Sequence, residues 1–243
     1  MTRIYQALEQ ANRERTSAGS SVEDILPVAE PVAPASPNLD AQIEGLYQSI
    51  RSLLPSKRGR VIGFIGAHEG AGATSVSAEL ARLAEKTHGA TVLLVDSDVR
   101  GGAACGRFGL KPAVGLYDVL ANNRPIEEAI VQSGSSNLYL SVLSTDSMGG
   151  AHADGDSLES ALDRLRDEFD FILFDAPPAM ESATGLAISA MADGMVLVVE
   201  AEKTRWQVAD SVRDAVEKQG GKVLGVVLNK RQYHVPEFVY KRL

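Results

Sequence analysis

Val61-Ile-Gly-Phe-Ile-Gly-Ala-His-Glu-Gly-Ala-Gly-Ala-Thr-Ser75 is the stretch on which the fold turns. Its first half, Val61 to Ala67, is an apolar run of strand length, and Gly70-Ala-Gly-Ala-Thr74 is a glycine-rich turn. The turn opens into a helical pattern with Val76, Leu80 and Leu83 on one face. A strand, glycine loop and helix in this order present backbone N–H groups at a helix N-terminus, where phosphate is stabilised by the dipole and by donors that lack intrahelical acceptors. Ala73 stands where phosphate loops of this shape carry lysine. The backbone cradle needs no side chain to bind an anion, whereas charge on a transferring γ-phosphate ordinarily needs that lysine. Binding and catalysis are therefore separate questions for this chain.

Outward from the loop, five more short aliphatic or β-branched runs follow: Thr91 to Val95, Leu138 to Leu143, Phe171 to Phe174, Met195 to Val199 and Val223 to Leu228. Most are continuously apolar, as parallel strands buried on both faces are. Between them Leu158, Leu162 and Leu165 share a helical face, as do Val208, Val212 and Ala215, while Asp156 with Glu159 and Thr204 with Gln207 have capping-box spacing. Alternation of strand and helix predicts an α/β fold, a doubly wound, mostly parallel sheet with helices on both faces. Ahead of it, Ala41 to Leu54 forms an amphipathic stretch with Leu46, Ile50, Leu53 and Leu54 on one face. The expected organisation is a small helix at Thr2 to Arg15 on a Ser, Pro and Ala-rich tether (1–40), an α/β domain (41–232) and a short tail (233–243).

With 243 residues, 44% hydrophobic and 23% charged, the chain has room for one such core. A net charge of -8 gives no polyanion-binding signature, so no nucleic acid partner is expected. The single Cys105 excludes an internal disulfide and a cysteine-rich metal cluster. No apolar run reaches the roughly 18 residues of a membrane span, and the N-terminus lacks a signal-peptide core. A cytoplasmic protein is expected, peripheral to a membrane only through a partner or a surface-lying segment.

Ligands of doubly wound sheets sit beyond the carboxyl ends of the strands, so the residues that end each strand matter most. Three ends carry chemistry in order: the glycine loop, Val95-Asp-Ser-Asp-Val-Arg100, and Phe174-Asp-Ala-Pro-Pro178. Singly each has a plain explanation as a turn, a helix cap or a loop start. Jointly they form a phosphate site, with Gly70, Gly72, Ala73, Thr74 and Ser75 at the phosphates and Thr74, Asp96 and Asp175 at Mg²⁺ or its waters. Asp96 or Asp98 is placed to accept a hydroxyl proton, and Arg100 to approach a phosphate or pair with an aspartate.

Hydrophobic-Asp-x-Asp-x-Arg followed about eighty residues later by hydrophobic-Asp-x-Pro-Pro resembles the Walker A′ and Walker B pair of bacterial protein-tyrosine kinases, the BY-kinases of exopolysaccharide synthesis and export, within the Min/Par P-loop superfamily. Gly115-Leu-Tyr-Asp-Val-Leu120, Asp193-Gly-Met-Val-Leu-Val-Val199 and Gly225-Val-Val-Leu-Asn-Lys230 resemble family segments in the same order, as do the opening Ile4-Tyr-Gln-Ala-Leu8 and the ending from Val235 to Leu243. The resemblance implies ATP or ADP with Mg²⁺ as cofactor, Asn229 at the base, a membrane polysaccharide co-polymerase or chain-length regulator as partner, and homo-oligomers. The chain also departs from the family. Ala71 and Ala73 replace the loop's glutamate and lysine, and His68 replaces the additional signature lysine of Min/Par members. By analogy with removing one preorganised transition-state donor, the missing lysine costs on the order of 10²–10³ in rate, about 3–4 kcal/mol. Glu44 of the oligomerising Glu-x-x-Arg motif is kept, but Tyr47, a packing residue by its position, stands in the arginine's place; the tail offers only Tyr233 and Tyr240 where autophosphorylating members carry a tyrosine cluster.

Three other functions stay open at the level of sequence: a non-enzymatic scaffold, a Min/Par-type positioning ATPase, and a dinucleotide-binding enzyme. The last has Gly70-x-Gly72 and Asp96 in its favour, but Ser75 replaces the third glycine and the Asp175-Ala-Pro-Pro end is left unexplained. His152 and His234 are lone imidazoles without a ligand set, Cys105 reads as a small buried or loop side chain, and Trp206 as a packing residue.

Overall fold

The computed structural model describes residues 37–55, 59–98, 103–134, 136–144 and 155–231. The expected helix at 2–15, most of the tether, Arg100, His152 and the tail with Tyr233, His234 and Tyr240 lie outside the described residues.

Seven strands form one sheet: β1 (Arg60–Gly66), β2 (Val92–Asp96), β3 (Val131–Gln132), β4 (Leu138–Val142), β5 (Phe171–Ala176), β6 (Gly194–Glu200) and β7 (Val223–Asn229). Their spatial order is β3-β4-β2-β5-β1-β6-β7, parallel throughout except for the short antiparallel β3. All six predicted strands are present. β3 was not legible, because two residues are too few for a period.

The helices are α1 (Pro37–Leu53), α2 (Ala73–His88), α3 (Ala103–Gly106), α4 (Leu116–Ala121), α5 (Gly155–Glu168), α6 (Ala183–Met191) and α7 (Trp206–Lys218). Alternate strand residues face opposite layers, which makes the sheet doubly wound. Val61, Ile65, Leu93, Val95, Ile172 and Phe174 pack with α4 to α7, while Ile62, Phe64, Val92, Leu94 and Leu173 pack with α1 to α3. Full burial of each such aliphatic side chain contributes roughly 1.5–3 kcal/mol, so the central strands β1, β2 and β5 anchor the core. α2 ends where Gly89 turns left-handed, φ 63°, and returns its N–H to Ala84 and Glu85.

Four expectations need correction. The buried stripe of α1 is Ile43, Tyr47, Ile50 and Leu54, whereas Leu53 is 48% exposed, because 4-3-4 spacing keeps the stripe facing α2 and the sheet. β7 is apolar yet half-exposed, with Val226 and Leu228 outward, since it lies last in the sheet order. Trp206 is 71% exposed at the first turn of α7 and does not pack. Thr204 does not cap α7: Arg205 is the cap residue, and the Thr204 hydroxyl accepts the Glu200 N–H at 3.0 Å to close the turn after β6.

At the amino ends of the strands, Asp193 binds Arg166 through two contacts of 2.7 and 3.0 Å and also accepts the Val61 N–H. This pairing ties α5, β1 and β6 together and leaves the opposite end of the sheet to the loops.

Candidate functional site

The loop after β1 bends through two left-handed glycines, Gly70 at φ 76° and Gly72 at φ 103°. Gly72 accepts the N–H groups of Ser75 and Val76 and so starts α2. A side chain at Gly72 is barred twice: by its backbone conformation and because a Cβ would lie 2.0 Å from Asn229 Nδ2. Asn229, at the end of β7, donates that amide to the Ala71 carbonyl at 2.9 Å, and the neighbouring Lys230 donates to the Gly70 carbonyl at 2.6 Å. With its carbonyls held from the β7 side, the loop leads into the first helical N–H groups, those of Ala73 and Thr74, which have no acceptor within the helix.

His68 fastens the other flank. Its Nδ1 lies 2.8 Å from the Glu69 carbonyl and its Nε2 3.1 Å from Thr204 Oγ1. Because a carbonyl can only accept, Nδ1 carries the hydrogen directed at Glu69, and in that tautomer Nε2 accepts the threonine hydroxyl hydrogen. His68 thus joins the loop to the turn after β6, and Glu181 accepts the Glu69 N–H at 3.2 Å.

Parallel pairing sets β2 beside β5 with Asp96 and Asp175 as direct partners, so two carboxylates stand side by side at the strand tips. Asp96 is buried and accepts the N–H groups of Ala104 at 2.7 Å, Cys105 at 3.4 Å and Asp98 at 3.2 Å. Burial raises its pKa, against the pull of those bonds. Asp175 is only 3% exposed, and burial pushes it up to about 7. The nearby Thr74 hydroxyl opposes that shift, the charges of Asp96 and Asp98 reinforce it, and Arg107 offsets part of it.

Among the described residues three buried side-chain oxygens or nitrogens lack a partner, and two of them, Asp175 Oδ1 and Ser97 Oγ, are at this site. An unsatisfied carboxylate oxygen in such a place is the arrangement a cation relieves. No three acidic, histidine or cysteine side chains among the described residues converge into a cage. That suits Mg²⁺, which takes one or two protein groups and completes its shell with water and phosphate oxygens. Thr74 and Asp175, neighbours at the end of the sheet, are the pair that fits it.

Thr74, Ser75, Asp96, Asp98 and Asp175 are therefore brought to one end of the sheet together with Gly70, Gly72 and Ala73, and Asn229 braces the loop from beside it. Arg100 lies outside the described residues. Cys105 is buried under the carboxylates, its thiol pushed up to about 12 by burial and by Asp96 and Asp175, and is inert as a nucleophile. Two cations escaped sequence reasoning. Lys230 was legible only as part of a family segment, and Arg107, whose Nη2 reaches Ser75 Oγ at 2.6 Å, gave no signal because its contact is made across separate elements.

A parallel sheet with a glycine loop on its central strand and carboxylates on the adjoining tips defines the P-loop NTPase-like class. A family model described as an AAA domain, AAA_31, matches residues 59–219, and the chain belongs to that family. The tyrosine-protein kinase CpsD of Streptococcus agalactiae is 25% identical over 196 residues, covering 77% of this chain and 83% of the relative. The kinase domain of the Escherichia coli tyrosine kinase ETK superposes with a TM-score of 0.70 at 18% identity, covering 88% of each chain, a likeness of fold. The septum site-determining protein MinD of Pyrococcus horikoshii, solved with Mg-ADP, superposes with a TM-score of 0.60 at 25% identity over 75% of this chain and 76% of that one. The resemblance to BY-kinases within the Min/Par superfamily is upheld.

Proposed function

We propose that this chain is a cytoplasmic, nucleotide-binding BY-kinase-like component of exopolysaccharide assembly, acting on a membrane polysaccharide co-polymerase, with tyrosine kinase activity weakened by Ala73. The observation that carries the reading is the asymmetry of the site. Thr74 and the unsatisfied Asp175 keep the metal side, while alanine occupies the phosphate-side position of the lysine. When bound, Mg²⁺ supplies positive charge across the terminal phosphate oxygens. The N–H groups of Ala73 and Thr74 hold phosphate, and Asn229 and Lys230 keep the loop in the required shape. Asp96 has committed both oxygens to backbone N–H groups and fixes the segment after β2. The half-buried Asp98 is then the carboxylate placed to accept a tyrosine hydroxyl proton. Assembly through Glu44 has a local competitor, since that carboxylate is bonded to His88 of the same chain at 2.9 Å.

The test is phosphorylation with labelled ATP and Mg²⁺, with and without the partner's cytoplasmic segment, on wild type and Ala73→Lys. The lysine variant is expected to be faster by on the order of 10²–10³. A fast wild type that Ala73→Lys does not improve would refute impaired catalysis.

A second reading, a scaffold that works without nucleotide, draws on the loop carbonyls already being satisfied by Asn229 and Lys230. Calorimetry with Mg-ADP separates the two, since the scaffold predicts no heat of binding.

A further inference from the structure

We infer that Arg107 takes over the phosphate-holding part of the missing lysine's work. The inference rests on the nucleotide reading above and assigns it a residue outside the loop. Among the described residues two cations touch the loop and the first turn of α2, and they are not equivalent. Lys230 donates to the Gly70 carbonyl and lies 3.4 Å from Glu200 Oε2, so its charge is spent on a carbonyl and a carboxylate beside β7. Arg107 follows α3 and donates to Ser75 Oγ at 2.6 Å, beside the helical N–H groups of Ala73 and Thr74. No carboxylate among the described residues lies within ion-pair distance of it.

The Arg107 guanidinium thus reaches the first turn of α2, one wall of a cradle whose other wall is the tip of β5. A guanidinium carries five N–H donors in a planar fork suited to phosphate, and a single bond to Ser75 leaves others for a phosphate oxygen. The unpartnered, buried Asp175 Oδ1 on the facing wall marks the same cradle as a ligand site independently of the helix end. An arginine here gives the phosphates a counter-charge. It enters from the side of Ser75 and not from residue 73, so it holds the nucleotide without restoring the lysine's place at the transferring group.

The experiment is isothermal calorimetry with Mg-ADP, which avoids turnover, on four full-length proteins: wild type, Arg107→Ala, Ala73→Lys and the double variant. Arg107 is exposed, so the fold should survive its loss, and a thermal scan checks this. Arg107→Ala is expected to weaken Mg-ADP at least tenfold in the wild-type background and less than threefold beside Ala73→Lys, where the loop again has its own cation. Equal binding by wild type and Arg107→Ala overturns the arginine's role and leaves the nucleotide reading standing. Binding by Ala73→Lys with none by wild type also overturns it, since no substitute is then at work. Absence of binding by both wild type and Ala73→Lys overturns the nucleotide reading itself.

Discussion

Asp175 holds a proton more tightly in the folded chain than a free aspartate does, at about 7 against 3.8. The folded state therefore binds more protons than the unfolded one between those values, and this group's contribution to stability falls as pH rises. Its penalty is full above about pH 7 and fades as pH drops toward 4. Asp175→Asn removes the charge and keeps the shape, so it should stabilise the metal-free protein by about 2–4 kcal/mol at pH 8.5 and by far less near pH 4.5. Urea unfolding at the two pH values measures this, and equal effects at both would show that the carboxylate is not strained. Mg²⁺ with ADP should narrow the gap in favour of wild type, because the ion acts on the aspartate only.

At the scale of elements, the helix that carries Glu44 is fastened within the chain. Tyr47 of α1 stacks on His88 at the end of α2, ring centroids 4.0 Å apart and 11° from parallel, while Glu44 bonds the same imidazole and is lowered in pKa by Gln48 and His88. The sequence showed Tyr47 as a packing residue. It could not show the partner, because nothing in helical periodicity links positions 47 and 88. His88→Ala should cost about 1–2 kcal/mol, chiefly from the lost stacking, since the exposed ion pair adds little. Thermal unfolding checks the size, and an unchanged melting point would mean the contact is incidental. The long strands and α2 were legible because their apolar periods are unbroken. α6 was not: its Ala-Thr-Gly-Leu-Ala-Ile-Ser-Ala-Met stretch has small residues in place of a stripe, and it packs because Gly185 lets it approach Pro177 closely.

For the whole molecule, doubly wound topology and the position of the acidic strand tips followed from the order of the motifs, since a parallel sheet brings its carboxyl ends to one side. What motif order cannot supply is contact between remote segments, and the brace of Asn229 and Lys230 and the arm of Arg107 are of that kind. Replacing Asn229 and Lys230 together by alanine should speed amide hydrogen exchange at residues 67–74 by an order of magnitude or more while lowering global stability by only about 1–2 kcal/mol. Exchange no faster than in wild type would show that the loop keeps its shape unaided.

The brace spans sequence separations of 158 and 160 residues. During synthesis, the glycine loop leaves the ribosome long before the residues that hold it have been translated. β1 itself must wait for β5 and β6, between which it lies. The glycine loop is thus among the last parts of the molecule to acquire its braced shape, and a nascent chain stalled before β7 would carry the motif without the brace.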